Sequence, residues 1–165
     1  MSDDRWIERY PILTGRVWGF GLEVPADCIV PPGASGAGRP GALLMTPVDP
    51  DFPDRIEPGD LLVGGSFGAG TIDDGPVDAI RDAGIAAVVA STLDRGFAER
   101  AVRAGLPVVE VHEALGIHTG EILRVDLEGA RVVNMSSGDR YPIRNLDDAM
   151  LEIYRRSLED GDDSN

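Results

Sequence analysis

Apolar and polar residues follow one another along the chain in a pattern that predicts alternating strands and helices. Short apolar runs occur at residues 61–63, 85–90 and 106–111, and the run at 85–90 is unbroken, as is typical of a strand covered on both faces. Apolar residues at helical spacing occur at residues 76–84, 94–104 and 146–158. Because strands and helices alternate from residue 61 to residue 111, the pattern predicts an α/β fold with parallel strand pairing.

Flanking segments add shorter elements to this pattern. Residues 15–20 have β character, residues 28–30 form a second short apolar run, and residues 121–133 predict a β-hairpin. Asn145 is the expected N-cap of the closing helix, because acidic residues follow it in the first turn, where negative charge is favoured.

Two glycine-rich segments predict loops. Residues 31–41 contain too many glycines and prolines for a helix or strand, and Arg39 is their only charged residue. Residues 64–71 lie between a strand and a helix, where backbone N–H groups can approach an anion. Their spacing matches neither a Walker loop nor a dinucleotide-binding loop. Asp73 and Asp74 follow after Ile72, and they fit metal ligands, general bases or an ordinary helix cap.

Composition narrows the range of partners. The chain has 165 residues, enough for one domain, and a formal net charge of −14, with arginine supplying all 15 basic residues. This charge argues against binding to nucleic acid or to an anionic membrane surface. No stretch reaches the ~20 apolar residues of a membrane span, and the N-terminus lacks the features of a signal peptide. A cytoplasmic location is therefore expected.

Residue types that often bind metals are few. Cys28 is the only cysteine, and one thiol cannot by itself hold zinc or an iron–sulfur cluster. Its apolar neighbours in sequence predict a small buried hydrophobe. His112 and His118 have no zinc-motif partner and are expected to be structural or surface residues. No metal ligand is therefore expected in this chain.

A series of motifs occurs in a fixed order along the chain. Residues 15–31 read Gly-Arg-Val-Trp-Gly-Phe-Gly-Leu-Glu-Val-Pro-Ala-Asp-Cys-Ile-Val-Pro. They are followed by Asp-Pro-Asp-Phe at 49–52, Pro-Gly-Asp at 58–60, the glycine loop at 64–75, Ala-Gly-Ile-Ala-Ala-Val at 83–88, Arg-Gly-Phe at 95–97 and Ala-Val-Arg-Ala-Gly-Leu-Pro at 101–107. Over roughly residues 15–158, these motifs together resemble the small subunits of isopropylmalate isomerases, in the aconitase superfamily.

The resemblance implies a fold, a partner and a chemistry. The fold is the swivelling β/β/α domain, a mixed sheet flanked by helices, at residues 15–158. An N-terminal segment at 1–14 precedes it, and a disordered acidic tail at 159–165 follows. The small subunit docks on a large subunit that carries a [4Fe–4S] cluster, while this chain binds no cofactor itself. The reaction adds or removes water on a small hydroxy acid, with the cluster iron acting as Lewis acid.

The signature loop departs from the family where substrate would bind. Phe67, Gly68 and Gly70 are kept, and Thr71 stands where the family has its catalytic serine, so a hydroxyl is preserved. The family's cysteine, second serine, carboxylate-binding arginine, glutamate and histidine correspond to Ala69, Ile72, Asp73, Asp74 and Gly75. Because Asp73 reverses a charge that clamps carboxylates, we expect the substrate to differ from the usual dicarboxylate.

Residues outside the loop complete the expected site. Asp27 matches the last acid of the family's Asp-Thr-Asp element, which lies near the active site. Arg39 falls where full-length aconitases have an arginine, and it is either a carboxylate contact or an exposed loop residue. The expected catalytic residues are thus Thr71, Asp27, Asp73 and Asp74, and the expected substrate-binding residues are Arg39, Ser66, Gly68, Ala69, Gly70 and Ile72.

Three functions remain open from the sequence. The first is an active hydro-lyase small subunit with a changed substrate, working only with its cluster-bearing large subunit. The second is a non-catalytic relative that acts as a regulatory or assembly partner, since the catalytic serine and the carboxylate-binding arginine are both replaced. The third is an unrelated α/β module that binds anions alone.

Overall fold

A mixed sheet of eight strands flanked by five helices makes up the part of the chain that the computed structural model describes, residues 12–34 and 38–163. The strands are β1 (Ile12–Gly19), β2 (Glu23–Val24), β3 (Leu61–Phe67), β4 (Ala87–Leu93), β5 (Val108–Glu110), β6 (Ile122–Asp126), β7 (Arg131–Asn134) and β8 (Arg140–Pro142). The helices are α1 (Ala26–Ile29), α2 (Phe52–Arg55), α3 (Gly75–Asp82), α4 (Arg95–Ala104) and α5 (Asp148–Asp163). Short 3-10 turns lie at Pro40–Leu43 and Ala114–Gly116.

Strand β1 joins a parallel half of the sheet to an antiparallel half. The strand order is β5-β4-β3-β1-β6-β7-β8, with β2 paired to β3. In the parallel half, Val17 of β1 lies opposite Leu61 of β3, and β4 and β5 continue in parallel. In the antiparallel half, Leu13 of β1 lies opposite Val125 of β6, and β7 and β8 follow. The predicted mixed sheet flanked by helices is confirmed.

Two hydrophobic clusters form the core, one on each face of the sheet. Leu62 of β3 packs into the cluster that contains Phe97 of α4. Its neighbours Leu61 and Val63 belong to the opposite cluster, which contains Tyr154 of α5. Successive side chains of a strand point to opposite faces, so an unbroken apolar run is what a doubly covered strand requires.

The two helices that follow the parallel strands begin and end as the sequence predicts. The Asp94 carboxylate accepts a hydrogen bond from the Phe97 N–H (3.0 Å), which caps the N-terminus of α4. Gly105 ends α4 with a φ of 80°, in the left-handed region. Gly84, with a φ of 87°, follows α3 in the same way.

Two segments have structures that the sequence did not predict. The apolar run at residues 28–30, to which no element was assigned, lies in and just after α1, where Ile29 is buried in the core. Residues 64–67 belong to β3 rather than to a loop. The glycines serve close packing there, since a Cβ at Gly65 would lie only 2.4 Å from the Leu22 carbonyl oxygen.

The closing helix also differs from its prediction. Asn145 bonds the edge of β5 instead of capping α5: its Oδ1 accepts from the Glu110 N–H (2.8 Å) and its Nδ2 donates to the Val108 carbonyl (3.1 Å). The cap is Asp147, whose carboxylate accepts from the Met150 N–H at 2.8 Å. α5 continues to residue 163, into the segment predicted to be a disordered tail. Lengthening an existing helix requires no new nucleation, which favours this extension.

The remaining boundaries fall partly outside the described residues. Most of the predicted N-terminal segment, residues 1–11, lies there, and so do residues 35–37 and 164–165. Strand β1 begins at Ile12, so the predicted domain start at residue 15 falls within a strand.

Candidate functional site

A loop at residues 68–74 connects β3 to α3 and carries most of the predicted site. Gly68 and Gly70 both have left-handed backbones, with φ of 93° and 85°, as a tight reversal after a strand requires. The Gly68 N–H donates to the Val24 carbonyl (2.8 Å), and the Ala26 N–H donates to the Ala69 carbonyl (2.8 Å). These bonds tie the loop to β2 and α1, so the segment that carries Asp27 lies beside it.

A cavity of about 200 Å³ lies between this loop, α1 and the start of α3. Its lining residues are Ala26, Asp27, Val30, Pro31, Pro32, Gly33, Ala34, Gly70, Ile72, Asp73, Gly75 and Pro76. Four predicted site residues therefore come together here, namely Asp27, Gly70, Ile72 and Asp73. The chain reaches this arrangement through parallel pairing, which brings the carboxyl ends of β2 and β3 to one edge of the sheet.

The cavity is acidic. Asp27 and Asp73 both line it and are both exposed, and none of the described lining residues carries a positive charge. The Asp73 Oδ1 accepts a hydrogen bond from the Gly75 N–H (2.9 Å), so the carboxylate sits at the positive N-terminal end of α3. Such a pocket suits the hydroxyl or cationic part of a ligand better than a carboxylate.

Thr71 forms its hydrogen bonds within the loop. Its hydroxyl donates to the Gly68 carbonyl oxygen at 2.6 Å, and its backbone N–H donates to the same oxygen at 3.1 Å. The residue is half-buried and is absent from the cavity lining. The hydroxyl proton is engaged in the loop's own turn, and only the lone pairs of Oγ1 remain to accept a bond.

Asp74 points away from the cavity and pairs with Arg100 of α4. The Arg100 Nη1 lies 3.0 Å from the Asp74 Oδ1, and its Nη2 donates to the Ile72 carbonyl at 3.0 Å. Asp74 occupies the N-cap position of α3 but makes no side-chain cap bond. Sequence reasoning missed Arg100, because its partners are 26 and 28 residues away and no local pattern reports such a contact.

Two predicted substrate-binding residues lie elsewhere. Arg39 lines a separate cavity of about 300 Å³, together with Asp54 and Asp82. Ser66 is exposed within β3, where its N–H donates to the Leu22 carbonyl at 2.8 Å. The loop residues Gly68 and Ala69 adjoin the acidic cavity without lining it.

Residues that often bind metals are scattered in the structure. Among residues 12–34 and 38–163, no group of three or more His, Cys, Asp or Glu side chains is placed to hold a metal ion. Cys28 is half-buried in α1, and both histidines are exposed. Within the same residues, no helix is both long and apolar enough to span a bilayer.

Known proteins resemble this chain over most of its length. No protein-family model matches it. The 3-isopropylmalate dehydratase small subunit of Nautilia profundicola is 33% identical over 146 residues, which cover 86% of this chain and 88% of that protein. The isopropylmalate/citramalate isomerase small subunit of Methanocaldococcus jannaschii is 35% identical over 147 residues, with coverage of 86% and 88%.

Solved structures agree with these relatives. The crystal structure of a 3-isopropylmalate dehydratase from Methanocaldococcus jannaschii matches with a TM-score of 0.79 at 27% identity, covering 92% of this chain and 99% of that one. Aconitase X of Thermococcus kodakaraensis shares the fold, with a TM-score of 0.50 at 16% identity over 82% of this chain and 92% of that one. With both sequence and fold in agreement, the chain belongs to the family of 3-isopropylmalate dehydratase small subunits, of the aconitase type.

Proposed function

We propose that this chain is the small subunit of a two-subunit aconitase-type hydro-lyase, and that its substrate is a hydroxy acid other than isopropylmalate. Its large subunit would carry a [4Fe–4S] cluster, as the resemblance to aconitase-type small subunits implies. The observation that carries the proposal is the cavity formed by the signature loop and α1, with Asp27 and Asp73 in its lining.

The charge of the cavity argues for the change of substrate. A carboxylate placed in it would face two aspartates, and no arginine among the described lining residues would offset them. Two like charges a few ångströms apart repel by about 1 kcal/mol in water and by more where solvent is excluded. The end of the substrate that faces this subunit is therefore expected to bear hydroxyl or amino groups. The carboxylate that marks it as a hydroxy acid would then face the large subunit.

Asp73 and Asp27 are the proton acceptors closest to such a ligand. The bond from the Gly75 N–H fixes one oxygen of Asp73 and leaves the carboxylate at the cavity. Thr71 has its proton engaged by the Gly68 carbonyl and would act on substrate only as an acceptor, or after rotation of its side chain. The proposal assigns general-base work to the aspartates and a supporting polar contact to Thr71.

A second candidate function is a non-catalytic small subunit that regulates or assembles a hydro-lyase. The hydrogen bond from the Thr71 hydroxyl to the Gly68 carbonyl favours this second function. Thr71 stands at the position of the family's catalytic serine, and its hydroxyl proton is engaged inside the loop. The left-handed glycines would then be kept for the turn alone.

The test is reconstitution with a cluster-bearing large subunit of the same organism. The two chains are co-expressed, purified anaerobically, and assayed with hydroxy acids that differ in charge and hydroxyl content, following the ultraviolet absorbance of the unsaturated product. We expect a stable complex, turnover that requires both chains, and a preference for substrates with a hydroxyl-bearing or amino-bearing end over isopropylmalate.

Variants separate the two candidate functions. A Thr71→Ala, Asp73→Ala pair should lower kcat/KM at least about 100-fold if the loop performs acid–base work. Asp78→Asn in α3, outside the cavity lining, is the matched control and should keep full activity. Unchanged activity in the double variant favours the non-catalytic function. Failure of this chain to bind any large subunit would count against both candidate functions.

A further inference from the structure

Arg100 in α4 holds the loop on both sides of Asp73. Its Nη2 donates to the Ile72 carbonyl at 3.0 Å, and its Nη1 bonds the Asp74 carboxylate at 3.0 Å. Ile72 and Asp74 are the immediate neighbours of Asp73 in the chain. One guanidinium thus holds the backbone of Ile72, just before Asp73, and the side chain of Asp74, just after it.

The chemistry of this contact requires an arginine. The guanidinium is planar and presents several N–H donors in a fixed fork, so it can bond a carbonyl and a carboxylate at the same time. A lysine ammonium is a single point charge on a flexible stem, and it would not keep both distances. The Arg100 side chain is 28% exposed and the Asp74 side chain is 62% exposed, so solvent screens the ion pair, and the contact depends on the geometry of both bonds together.

Helix α4 holds Arg100 in a fixed position. The Asp94 N–H, just before the helix, donates to the Phe67 carbonyl at 2.8 Å, at the point where β3 gives way to the loop. Phe97 in the first turn is fully buried in the core. A helix anchored by a strand and by the core cannot move without disturbing both, so Arg100 transmits that rigidity to the loop.

We infer that Arg100 is a positioning residue, which presents Asp73 to the cavity and neutralises Asp74, leaving Asp73 as the uncompensated charge of the loop. The inference rests on the proposed function, since Asp73 can select a substrate only if this loop faces one. It deepens that function by assigning the geometry of the specificity-determining carboxylate to a residue of another helix.

Hydrogen exchange on the full chain tests whether Arg100 holds the loop, and it requires no activity assay. The exchange rates of peptides covering residues 68–75 are compared among the wild type, Arg100→Gln, Arg100→Lys and Arg95→Gln. Arg95 belongs to the same helix and pairs with the exposed Glu99 on the helix surface, so it is the matched control. We expect about tenfold faster loop exchange for Arg100→Gln, a smaller increase for Arg100→Lys, and no change for Arg95→Gln. Circular dichroism checks that each variant is folded.

Kinetics of the complex with the large subunit test the consequence for substrate. We expect Arg100→Gln to raise KM about tenfold with a smaller effect on kcat, Arg100→Lys to restore part of the loss, and Asp74→Asn to add nothing to Arg100→Gln. Equal exchange and equal kinetics for Arg100→Gln and Arg95→Gln would overturn the inference. A wild-type complex that turns over no hydroxy acid would overturn the proposed function and with it the substrate role of Arg100, while the exchange data would still decide whether Arg100 holds the loop.

Discussion

Gly68 lies directly against the side chain of Phe97: a Cβ placed on this glycine would be 2.5 Å from the Cβ and the Cγ of the phenylalanine. The contact joins the first residue of the loop at residues 68–74 to the core residue that anchors α4. A side chain at Gly68 therefore has to displace either the loop or a fully buried ring.

We predict that Gly68→Ala lowers the free energy of unfolding by about 3 kcal/mol, from backbone strain at a φ of 93° and from the clash with Phe97. Gly70→Ala is the control, because Gly70 has a similar φ of 85° but open space around it. It should cost only about 1 kcal/mol. Urea denaturation of both variants measures the two free energies of unfolding. Equal losses would mean that the Phe97 side chain moves aside at little cost.

The buried Asp60 carboxylate supports a second prediction. It accepts hydrogen bonds from the Trp18 indole N–H (2.8 Å) and from the Glu57 N–H (2.9 Å), and Arg16 lies 3.4 Å away. Asp60→Asn removes the charge that strengthens all three contacts, so we expect a loss of about 2 kcal/mol in the free energy of unfolding and a change in tryptophan fluorescence. Asp51→Asn on the exposed surface should change stability by less than about 0.5 kcal/mol.

The alkaline stability of the protein should depend on Tyr154. Burial raises the pKa of Tyr154 to about 12, partly offset by the hydrogen bond from the Val108 N–H to its hydroxyl. Between pH 10 and pH 12 the unfolded tyrosine loses its proton while the folded one keeps it. The free energy of unfolding therefore falls as pH rises through this window, and the contribution of Tyr154 is fully present below pH 10.

Basic side chains do not change their charge between pH 10 and pH 12, because the chain has no lysine and arginine stays charged throughout. We predict that Tyr154→Phe is less stable at pH 7 by about 1–2 kcal/mol, since the Val108 N–H loses its acceptor, but that its stability falls less steeply above pH 10. Burial and the Asp139 carboxylate also raise the pKa of the half-buried Tyr141, so Tyr141→Phe should ease the fall as well, but less than Tyr154→Phe does. Thermal unfolding measured across pH 8–12 decides between these outcomes.

Charge at position 73 should control which acids bind. We predict that Asp73→Arg raises the affinity of the assembled complex for a dicarboxylate such as isopropylmalate at least about tenfold, since it replaces one of the two aspartates of the cavity by a guanidinium. Asp78→Arg adds the same charge to α3 outside the cavity and is the control. Binding is followed by calorimetry, and equal gains for the two variants would indicate a general electrostatic effect rather than a contact in the cavity.

Much of the fold could be predicted from the sequence because local and global preferences agree. The limits of α4 follow from Asp94 and Gly105, and the parallel strands follow from their short apolar runs. Predictions failed where a side chain had a distant partner. Asn145 has the sequence of a helix cap, yet its amide bonds the edge of β5, 35 and 37 residues away. Residues 28–30, to which no element was assigned, lie in and just after α1, where Ile29 is buried.

The site shows the same division. The family motifs located the loop and Asp27, and the structure brings Asp27, Gly70, Ile72 and Asp73 together around one cavity. The motifs carried no information on Arg100, which is not part of any of them, or on the hydrogen bond that engages the Thr71 hydroxyl. Such features depend on how α4 packs against the loop, and a linear pattern does not encode that distance.

The position of β1 between the two halves of the sheet also sets the order in which the chain can fold. Val17 of β1 pairs with Leu61, which is synthesised early. Leu13 of the same strand pairs with Val125, which is synthesised much later. The Gly19 N–H likewise bonds the Thr119 hydroxyl, 100 residues further along the chain. During synthesis the last strand of the parallel half, β5, is complete about a dozen residues before β6, which pairs with the other side of β1, begins at Ile122. The open side of β1 is then an unpaired edge, and such edges invite aggregation. We therefore expect premature termination after β5 to yield an insoluble product, whereas chains that extend past β8 cover this edge.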